Sequence, residues 1–181
     1  AFFTLLNPGD HVVASQALYG GSVTQLKHFL RKLSVQLTFV DPDDPAAWRA
    51  ALQDNTKLLF AETIGNPGGN VLDIEPLAML AHEHGTPLMV DNTFATPYLA
   101  RPMEWGADIV VYSATKFLGG HGTSIGGLVV DSGEFDWSNE PLERPDGLPP
   151  RADRPFAASP PGENWVGLVD LSAGAAVDDA D

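Results

Sequence analysis

The sequence predicts an α/β domain built on a mostly parallel, doubly wound sheet over residues 1–137. Six short apolar runs alternate with helical patterns, several runs lack period-two alternation, and turn residues bound them. Strands buried on both faces of a parallel sheet have this unbroken apolar character. Because such strands join through right-handed helical crossovers, ligands are expected outside their carboxyl ends.

The predicted elements follow one another along the chain. The strands are His11–Ser15, Val35–Val40, Leu58–Glu62, Pro87–Asp91, Ile109–Ser113 and Leu128–Val130, and the helices are Ser22–Leu33, Pro45–Leu52 and Asp73–His84. Asp44 is the predicted N-cap of the second helix, with Pro45 at its first position. Gly85 is the predicted C-terminal stop of the third helix.

The pattern ends after Trp137. Residues 138–181 hold seven of the 15 prolines and no lysine, and their apolar residues lack a period apart from a run at Trp165–Leu171. Such a composition buries too little surface to offset the entropy of ordering, so this Pro/Ala/Asp-rich tail is expected to be mostly disordered or irregular. A frame-shifted tail and a linker both stay open. Because no initiating methionine precedes the helix-like start at Ala1, the chain is expected to be an internal fragment or an incomplete gene product.

Composition excludes several classes of function. The chain has no cysteine, so it has no disulfide framework and no thiolate metal site. Its net charge is −14 without a basic patch, which argues against nucleic-acid binding. No apolar run approaches the ~18 residues of a membrane span. The cytoplasm is the default expectation for its location.

Lys116 is the candidate catalytic residue. Of the four lysines, it alone lies where a predicted strand ends, between two hydroxyl residues and a glycine-rich turn. An amine in this position can reach a ligand at the carboxyl edge of the sheet, and a deprotonated amine forms a Schiff base with a carbonyl cofactor. Ser113 and Thr115 flank it with hydroxyls that can hydrogen-bond a phosphate.

Other strand ends supply the groups that pyridoxal phosphate (PLP) needs. Asp91 is the candidate carboxylate partner of the ring nitrogen, with Asn92 and Thr93 expected to help arrange that ion pair. Tyr19 offers an aromatic face for stacking and a phenol that can carry protons. Asn66 is the candidate donor to the ring hydroxyl. Each residue taken singly is compatible with an ordinary loop or packing role.

Two competing motifs are rejected. His82 and His84 fall on different sides of a helix, unlike the i, i+4 pair of metalloproteases, so a polar helix face is expected. The run Gly119-Gly120-His121-Gly122 follows Lys116, whereas a P-loop places its lysine after the glycines.

The motifs resemble those of a known family. The stretch from Val90 to Gly127 resembles the PLP signature of the Cys/Met-metabolism (γ-family) enzymes, and the likeness covers about three-quarters of the chain. The matching motifs are Leu18-Tyr19-Gly20-Gly21, Glu62-Thr63 with Asn66-Pro67, Asp91-Asn92-Thr93 and Ser113-Ala114-Thr115-Lys116. Within the family, the run from Ala61 to Gly68 and the run from Gly119 to Gly127 resemble the O-acetylhomoserine sulfhydrylase branch most. Tyr112 departs from a histidine common in the family, and no effect on the chemistry is expected.

The resemblance implies a type I, aspartate-aminotransferase-like fold and a γ-replacement on O-acetyl-homoserine. Lys116 would hold the cofactor and move protons, and sulfide or methanethiol would replace acetate to give homocysteine or methionine. The family's complete enzymes are homo-oligomers, dimers of dimers, that act on small molecules.

The resemblance also shows two gaps. The family takes phosphate-binding groups from an N-terminal segment and a Ser-Gly turn, and a carboxylate-binding arginine from a C-terminal domain. Neither segment is found in this sequence, and that arginine is not assigned to Arg144, Arg151 or Arg154. Weak or no turnover is therefore expected from this chain alone. A γ-family lyase or cystathionine γ-synthase, and a catalytically incompetent PLP-binding fragment, stay open as alternatives.

Overall fold

The computed structural model describes residues 1–137, together with the backbone of two short strands at 165–170 and 175–176. The described strands form one mixed sheet in the order β2-β1-β3-β4-β5-β6-β7-β8. They are β1 (His11–Ser15), β2 (Gln36–Val40), β3 (Thr56–Glu62), β4 (Leu88–Asp91), β5 (Ile109–Ser113), β6 (Gly126–Asp131), β7 (Trp165–Asp170) and β8 (Ala175–Ala176).

Strands β1 to β5 pair in parallel, which confirms the predicted fold class. The six predicted strands agree with β1 to β6 to within two residues at each end. Strand β6 runs antiparallel to β5, and β7 and β8 continue the sheet in antiparallel fashion. The apolar run noted at Trp165–Leu171 therefore forms β7. The rest of the predicted irregular tail lies outside the described residues.

Short helices connect the strands. They are α1 (Phe2–Leu5), α2 (Gly20–Thr24), α3 (Pro45–Ala51), α4 (Ile74–Glu83) and α5 (Thr96–Leu99), with a π-helical segment at Gln25–Leu30 and a 3₁₀ segment at Pro102–Trp105. Asp44 caps α3 by accepting hydrogen bonds from the amides of Ala46 and Ala47 at 2.9 and 3.1 Å, as predicted. Gly85 follows α4 with a φ of +72°, which confirms the predicted stop.

Helices cover the two faces of the parallel sheet. On one face, α3 and α4 pack on side chains such as Val13, Leu59 and Val90. On the other, α1 and the π-helical segment pack on neighbours such as Val12 and Phe60. Successive strand residues thus enter opposite cores, which explains why the apolar runs do not alternate with polar residues.

Candidate active site

Polar residues from four chain segments line one cavity at the carboxyl edge of the parallel strands. The cavity has a volume of about 520 Å³, within the usual range for small-molecule sites. All seven residues that the sequence singled out line it, namely Tyr19, Asn66, Asp91, Thr93, Ser113, Thr115 and Lys116. The structure therefore brings the whole predicted set together.

Parallel pairing explains why these side chains meet. Glu62 ends β3 and Asp91 ends β4, and the register places these two residues side by side. Asp91 in turn pairs with Val111 of β5, two residues before Ser113. Because the strands run in the same direction, their carboxyl ends and the turns that follow lie at one edge.

Thr93 fixes the carboxylate of Asp91. Its backbone amide and its hydroxyl both donate to Oδ1 of Asp91, at 2.9 and 2.6 Å. The same hydroxyl accepts the backbone amide of Ser113 at 2.7 Å, so it connects β4 to β5. Oδ2 takes part in neither bond. Thr93 thus orients Asp91 and has its hydroxyl occupied.

Burial raises the pKa of Asp91, and the two hydrogen bonds from Thr93 oppose that rise. Among the residues that the structure describes, Asp91 forms no ion pair. A half-buried carboxylate that is oriented but not neutralised favours a cationic or N–H partner in the cavity.

Asn92 corrects one expectation from the sequence. Its side-chain amide donates to the carbonyl of Ala100 at 2.8 Å and to the hydroxyl of Tyr112 at 3.2 Å, and it makes no bond to Asp91. Consecutive residues in an extended segment point to opposite sides, so Asn92 enters the interior where Asp91 faces the cavity. Among residues 1–137, the hydrogen bonds to this carboxylate come from Thr93.

The turn after β5 presents Lys116. The amide of Lys116 donates to the carbonyl of Ser113 at 3.1 Å, and the amides of Gly119 and Gly120 donate back to Ala114 and Lys116, both at 2.8 Å. A Cβ on Gly119 would lie 2.8 Å from the carbonyl oxygen of Ala114, closer than real Cβ contacts allow. The glycines after Lys116 therefore permit a tight turn that keeps the lysine at the cavity.

The two predicted phosphate-binding hydroxyls differ. Thr115 uses its hydroxyl to bond the backbone of Gly126, accepting from the amide at 3.0 Å and donating to the carbonyl at 3.3 Å. These bonds join the Lys116 turn to the start of β6, so Thr115 has less capacity for a ligand. The hydroxyl of Ser113 lines the same cavity.

Tyr19 lies at the N-terminal boundary of α2. Its amide donates to Oε1 of Glu62 at 2.8 Å, and its side chain is 54% exposed. A Cβ on Gly21 would lie 2.5 Å from a ring carbon of Tyr19, so glycine there makes room for the ring. Tyr19 thereby lines the cavity.

Sequence reasoning did not assign three further cavity residues. Glu62 is buried, and its burial, with a smaller contribution from the charge of Asp91, raises its pKa to about 7. Phe94 and Phe117 pack on each other with ring centroids 5.6 Å apart and form an apolar part of the wall. The two phenylalanines directly follow Thr93 and Lys116 in the sequence, and this position was the signal that could have assigned them to the cavity.

The donor set fits PLP in part. An amine, an oriented carboxylate, an aromatic ring and a serine surround a cavity of suitable size. A pyridine nitrogen needs such a carboxylate, and a carbonyl carbon needs such an amine. The described residues offer the phosphate few donors, since Thr115 is already engaged.

Comparison with known proteins agrees with this assignment. Residues 1–155 match the family described as Cys/Met metabolism PLP-dependent enzymes. The O-acetyl-L-homoserine sulfhydrylase of Leptospira meyeri is 48% identical over 139 residues, which are 77% of this chain and 31% of that protein. The chain spans about one-third of the length of the curated relatives it matches.

Two solved structures share the fold. One, from Campylobacter jejuni, contains N'-pyridoxyl-lysine-5'-monophosphate; it has a TM-score of 0.70 and 34% identity, and the match covers 71% of this chain and 32% of that one. The other is the cystathionine γ-lyase of Lactobacillus plantarum in complex with L-serine, with a TM-score of 0.70, 41% identity and coverage of 71% and 34%.

The fold and the site define an α/β protein of the PLP-transferase class. Within that class, the chain belongs to the Cys/Met metabolism PLP-dependent enzyme family.

Two remaining expectations concern a membrane span and the motif of His82 and His84. Within the described residues, no helix is long and apolar enough to cross a membrane, and no group of three or more His, Asp or Glu residues is placed to hold a metal. His82 bonds the carboxylate of Asp108, and His84 bonds the carbonyl of Gln53, so both imidazoles have partners within the chain.

Proposed function

We propose that this chain carries the PLP site of an O-acetylhomoserine sulfhydrylase, which replaces the acetate of O-acetyl-L-homoserine with sulfide or methanethiol. The observation that carries the proposal is the meeting of Lys116, Asp91 and Tyr19 at one cavity in a chain of this family. The sulfhydrylase names of its curated relatives support the choice of reaction.

When bound, PLP supplies an electron sink for carbanion chemistry at the amino-acid substrate. Asp91 would accept a hydrogen bond from the ring nitrogen, and Thr93 holds that carboxylate in place. Tyr19 would stack on the ring. Ser113 and Thr115 would bind phosphate, and Asn66 would donate to the ring hydroxyl.

Lys116 would both hold the cofactor and act as the base. Its Nζ would take the proton from the substrate Cα and return a proton later in the cycle. Tyr19 offers a second proton-carrying group at the same cavity. Since Phe94 and Phe117 form an apolar wall beside Lys116, they would limit water at the reacting carbons.

The complete protein is proposed to be a homo-oligomer that acts on small molecules. Exposed apolar side chains line a groove near the site, and such patches often mark subunit contacts. They are Val71, Tyr98, Leu99 and Trp105. Light scattering on the complete protein would report the subunit number, and a monomer would contradict this part. The cytoplasmic location stays a prediction.

The cofactor assignment is tested by reductive trapping. The purified chain is mixed with PLP, its visible absorbance is recorded, and borohydride is added before peptide mapping by mass spectrometry. We expect one labelled peptide carrying Lys116, and loss of the label in Lys116→Ala. Lys32→Ala is the matched control, since Lys32 lies on an exposed helical turn. Label spread equally over the other lysines would refute the assignment.

The reaction class is tested separately on the complete protein. With O-acetyl-homoserine and sulfide, a sulfhydrylase forms homocysteine in proportion to the sulfide supplied. Release of ammonia and a 2-oxo acid at the same rate without sulfide would instead indicate a lyase.

A further inference from the structure

Glu62 is a buried side chain of the cavity for which the proposed chemistry has no use. It ends β3, is 7% exposed, and lines the cavity beside Asp91. Its Oε1 accepts the backbone amide of Tyr19 at 2.8 Å. The backbone amide of Asn66 also acts on this carboxylate and opposes the rise of its pKa. Because Glu62 begins the turn that carries Asn66, its bond to the Tyr19 amide joins two turns that carry proposed cofactor ligands.

The same two turns touch at a second point. A Cβ on Gly65 would lie 2.7 Å from the carbonyl oxygen of Ala17, so these backbones approach more closely than any other residue would permit. Residue 65 belongs to the turn of Asn66, and residue 17 belongs to the turn of Tyr19. The bond between Glu62 and the Tyr19 amide is therefore part of a packed junction between the turns.

We propose that Glu62 is a positioning residue that ties the Tyr19 turn to the Asn66 turn and so holds the Tyr19 ring at the face of the cofactor. It acts through the backbone amide of Tyr19, without contacting PLP. The hydrogen bond between Glu62 and Tyr19 forms within the chain without a cofactor. Its effect on the cofactor rests on the proposed function.

Three variants distinguish the hydrogen bond between Glu62 and Tyr19 from the negative charge of Glu62. Glu62→Ala removes every acceptor, and Glu62→Gln keeps an amide oxygen that can accept from Tyr19. Glu75→Gln is the matched control, because Glu75 is an exposed carboxylate on α4 away from the cavity. All variants are compared at one pH, since burial also raises the pKa of the neighbouring Asp91.

The tie is measured first, without cofactor, by hydrogen exchange of the Tyr19 amide. We expect Glu62→Ala to speed this exchange about tenfold, the effect of losing one ordinary hydrogen bond. Glu62→Gln and Glu75→Gln should stay near the wild type, and the amide of Val13 in β1 should not change in any variant. Equal Tyr19 exchange in Glu62→Ala and wild type would overturn the proposal.

The consequence for the cofactor is measured by titrating each chain with PLP and following visible absorbance. Glu62→Ala should weaken binding about tenfold, and Glu62→Gln should restore most of it. In a Tyr19→Ala background, Glu62→Ala should have no further effect, because the group that it positions is gone. An unchanged penalty in that background would show that Glu62 acts by another route and would overturn the proposal.

The two proposals fail in different ways. If the wild-type chain binds no PLP, the proposed function fails for this chain, and amide exchange still decides whether the tie exists. If the wild type binds PLP and Glu62→Ala binds it equally well, the positioning role fails and the proposed function stands.

Discussion

Each edge of the parallel sheet carries an aspartate, buried at the amino edge and half-buried at the carboxyl edge, and the two aspartates have different partners. At the amino edge, Asp108 precedes β5 and has its partners within the chain, since both oxygens lie 2.9 to 3.0 Å from Nε2 of His82 and Oδ2 accepts the amide of Leu88 at 2.8 Å. At the carboxyl edge, Asp91 receives two bonds on one oxygen and faces a cavity.

The difference separates a structural carboxylate from one prepared for a ligand. Burial raises the pKa of both groups. The Leu88 amide and His82 oppose the rise in the pKa of Asp108. Asp91 is instead held in position by Thr93 and has no ion pair among the described residues. Burial alone therefore does not mark a functional acid; the location of its partners does.

The largest expected effect is on cofactor binding at the carboxyl edge. Asp91→Asn should weaken PLP binding by roughly 10- to 150-fold, the equivalent of about 1.5 to 3 kcal/mol for a hydrogen bond to a charged group. The unfolding temperature of the cofactor-free chain should stay the same or rise, because a buried charge is removed. Absorbance titration and thermal unfolding measure the two quantities. A fall in stability with unchanged binding would make Asp91 structural.

The corresponding experiment at the amino edge changes Asp108. Asp108→Ala should lower the free energy of unfolding by about 3 kcal/mol, since it leaves the Leu88 amide and His82 without their acceptor. PLP binding measured below the unfolding transition should match the wild type. Urea titration gives the stability, and weaker cofactor binding in the folded variant would contradict the contrast between the edges.

A pH series sharpens the comparison through Glu62. Its pKa is about 7 in the folded chain against 4.5 for the ordinary group, so the folded state holds this proton more tightly than the unfolded state. Its contribution to stability should therefore fall as the pH rises through that window, by about 2 kcal/mol. Glu62→Gln should lose this part of the dependence.

The comparison is made by chemical unfolding near pH 5 and near pH 7.5. Asp108 and Asp131 also have pKa values raised by burial, and their effects are common to both chains and cancel in the difference. Parallel pH profiles for Glu62→Gln and the wild type would show that Glu62 is not the group responsible.

A smaller effect is expected at the contact between the two cavity turns. Gly65→Ala should cost about 1 kcal/mol, because the added methyl must displace the carbonyl of Ala17. The turns would then separate slightly, and PLP binding should weaken with it. Gly69→Ala is an informative control: its added methyl meets nothing within 4 Å, and its φ of +72° supplies backbone strain without the clash. Equal effects on PLP binding would argue that strain, and not contact, matters.

The smallest effect should come from a carboxylate on the surface. Glu83 pairs with Arg49 at 2.9 Å, and both side chains are more than half exposed. Glu83→Gln should change the free energy of unfolding by less than about 0.5 kcal/mol, since exposed ion pairs contribute little. A loss comparable to that of Asp108→Ala would mean that burial does not set the scale of these effects.

The sequence predicted the parallel strands, the caps at Asp44 and Gly85, and the residues of the cavity, because strand ends and turn residues are local signals. It did not predict the direction of β6 or the two hydrogen bonds of the Thr93 hydroxyl, because these depend on the pairing of strands distant in sequence. It also did not predict the π-helical segment within Ser22–Leu33. Asn92 was assigned to the wrong partner because a motif of adjacent letters hides the alternation of an extended backbone.

Because Glu62 pairs with Asp91, the chemistry of the site depends on the number of residues that separate β3 from β4. If β4 were to slide by one position against β3, the residue opposite Glu62 would become Asn92, and an amide would replace the acid at the cavity while a carboxylate entered the interior. A single-residue deletion in the turn before β4 would therefore be a more damaging change than most substitutions inside the cavity. The length of that connection is as much part of the site as the side chains themselves.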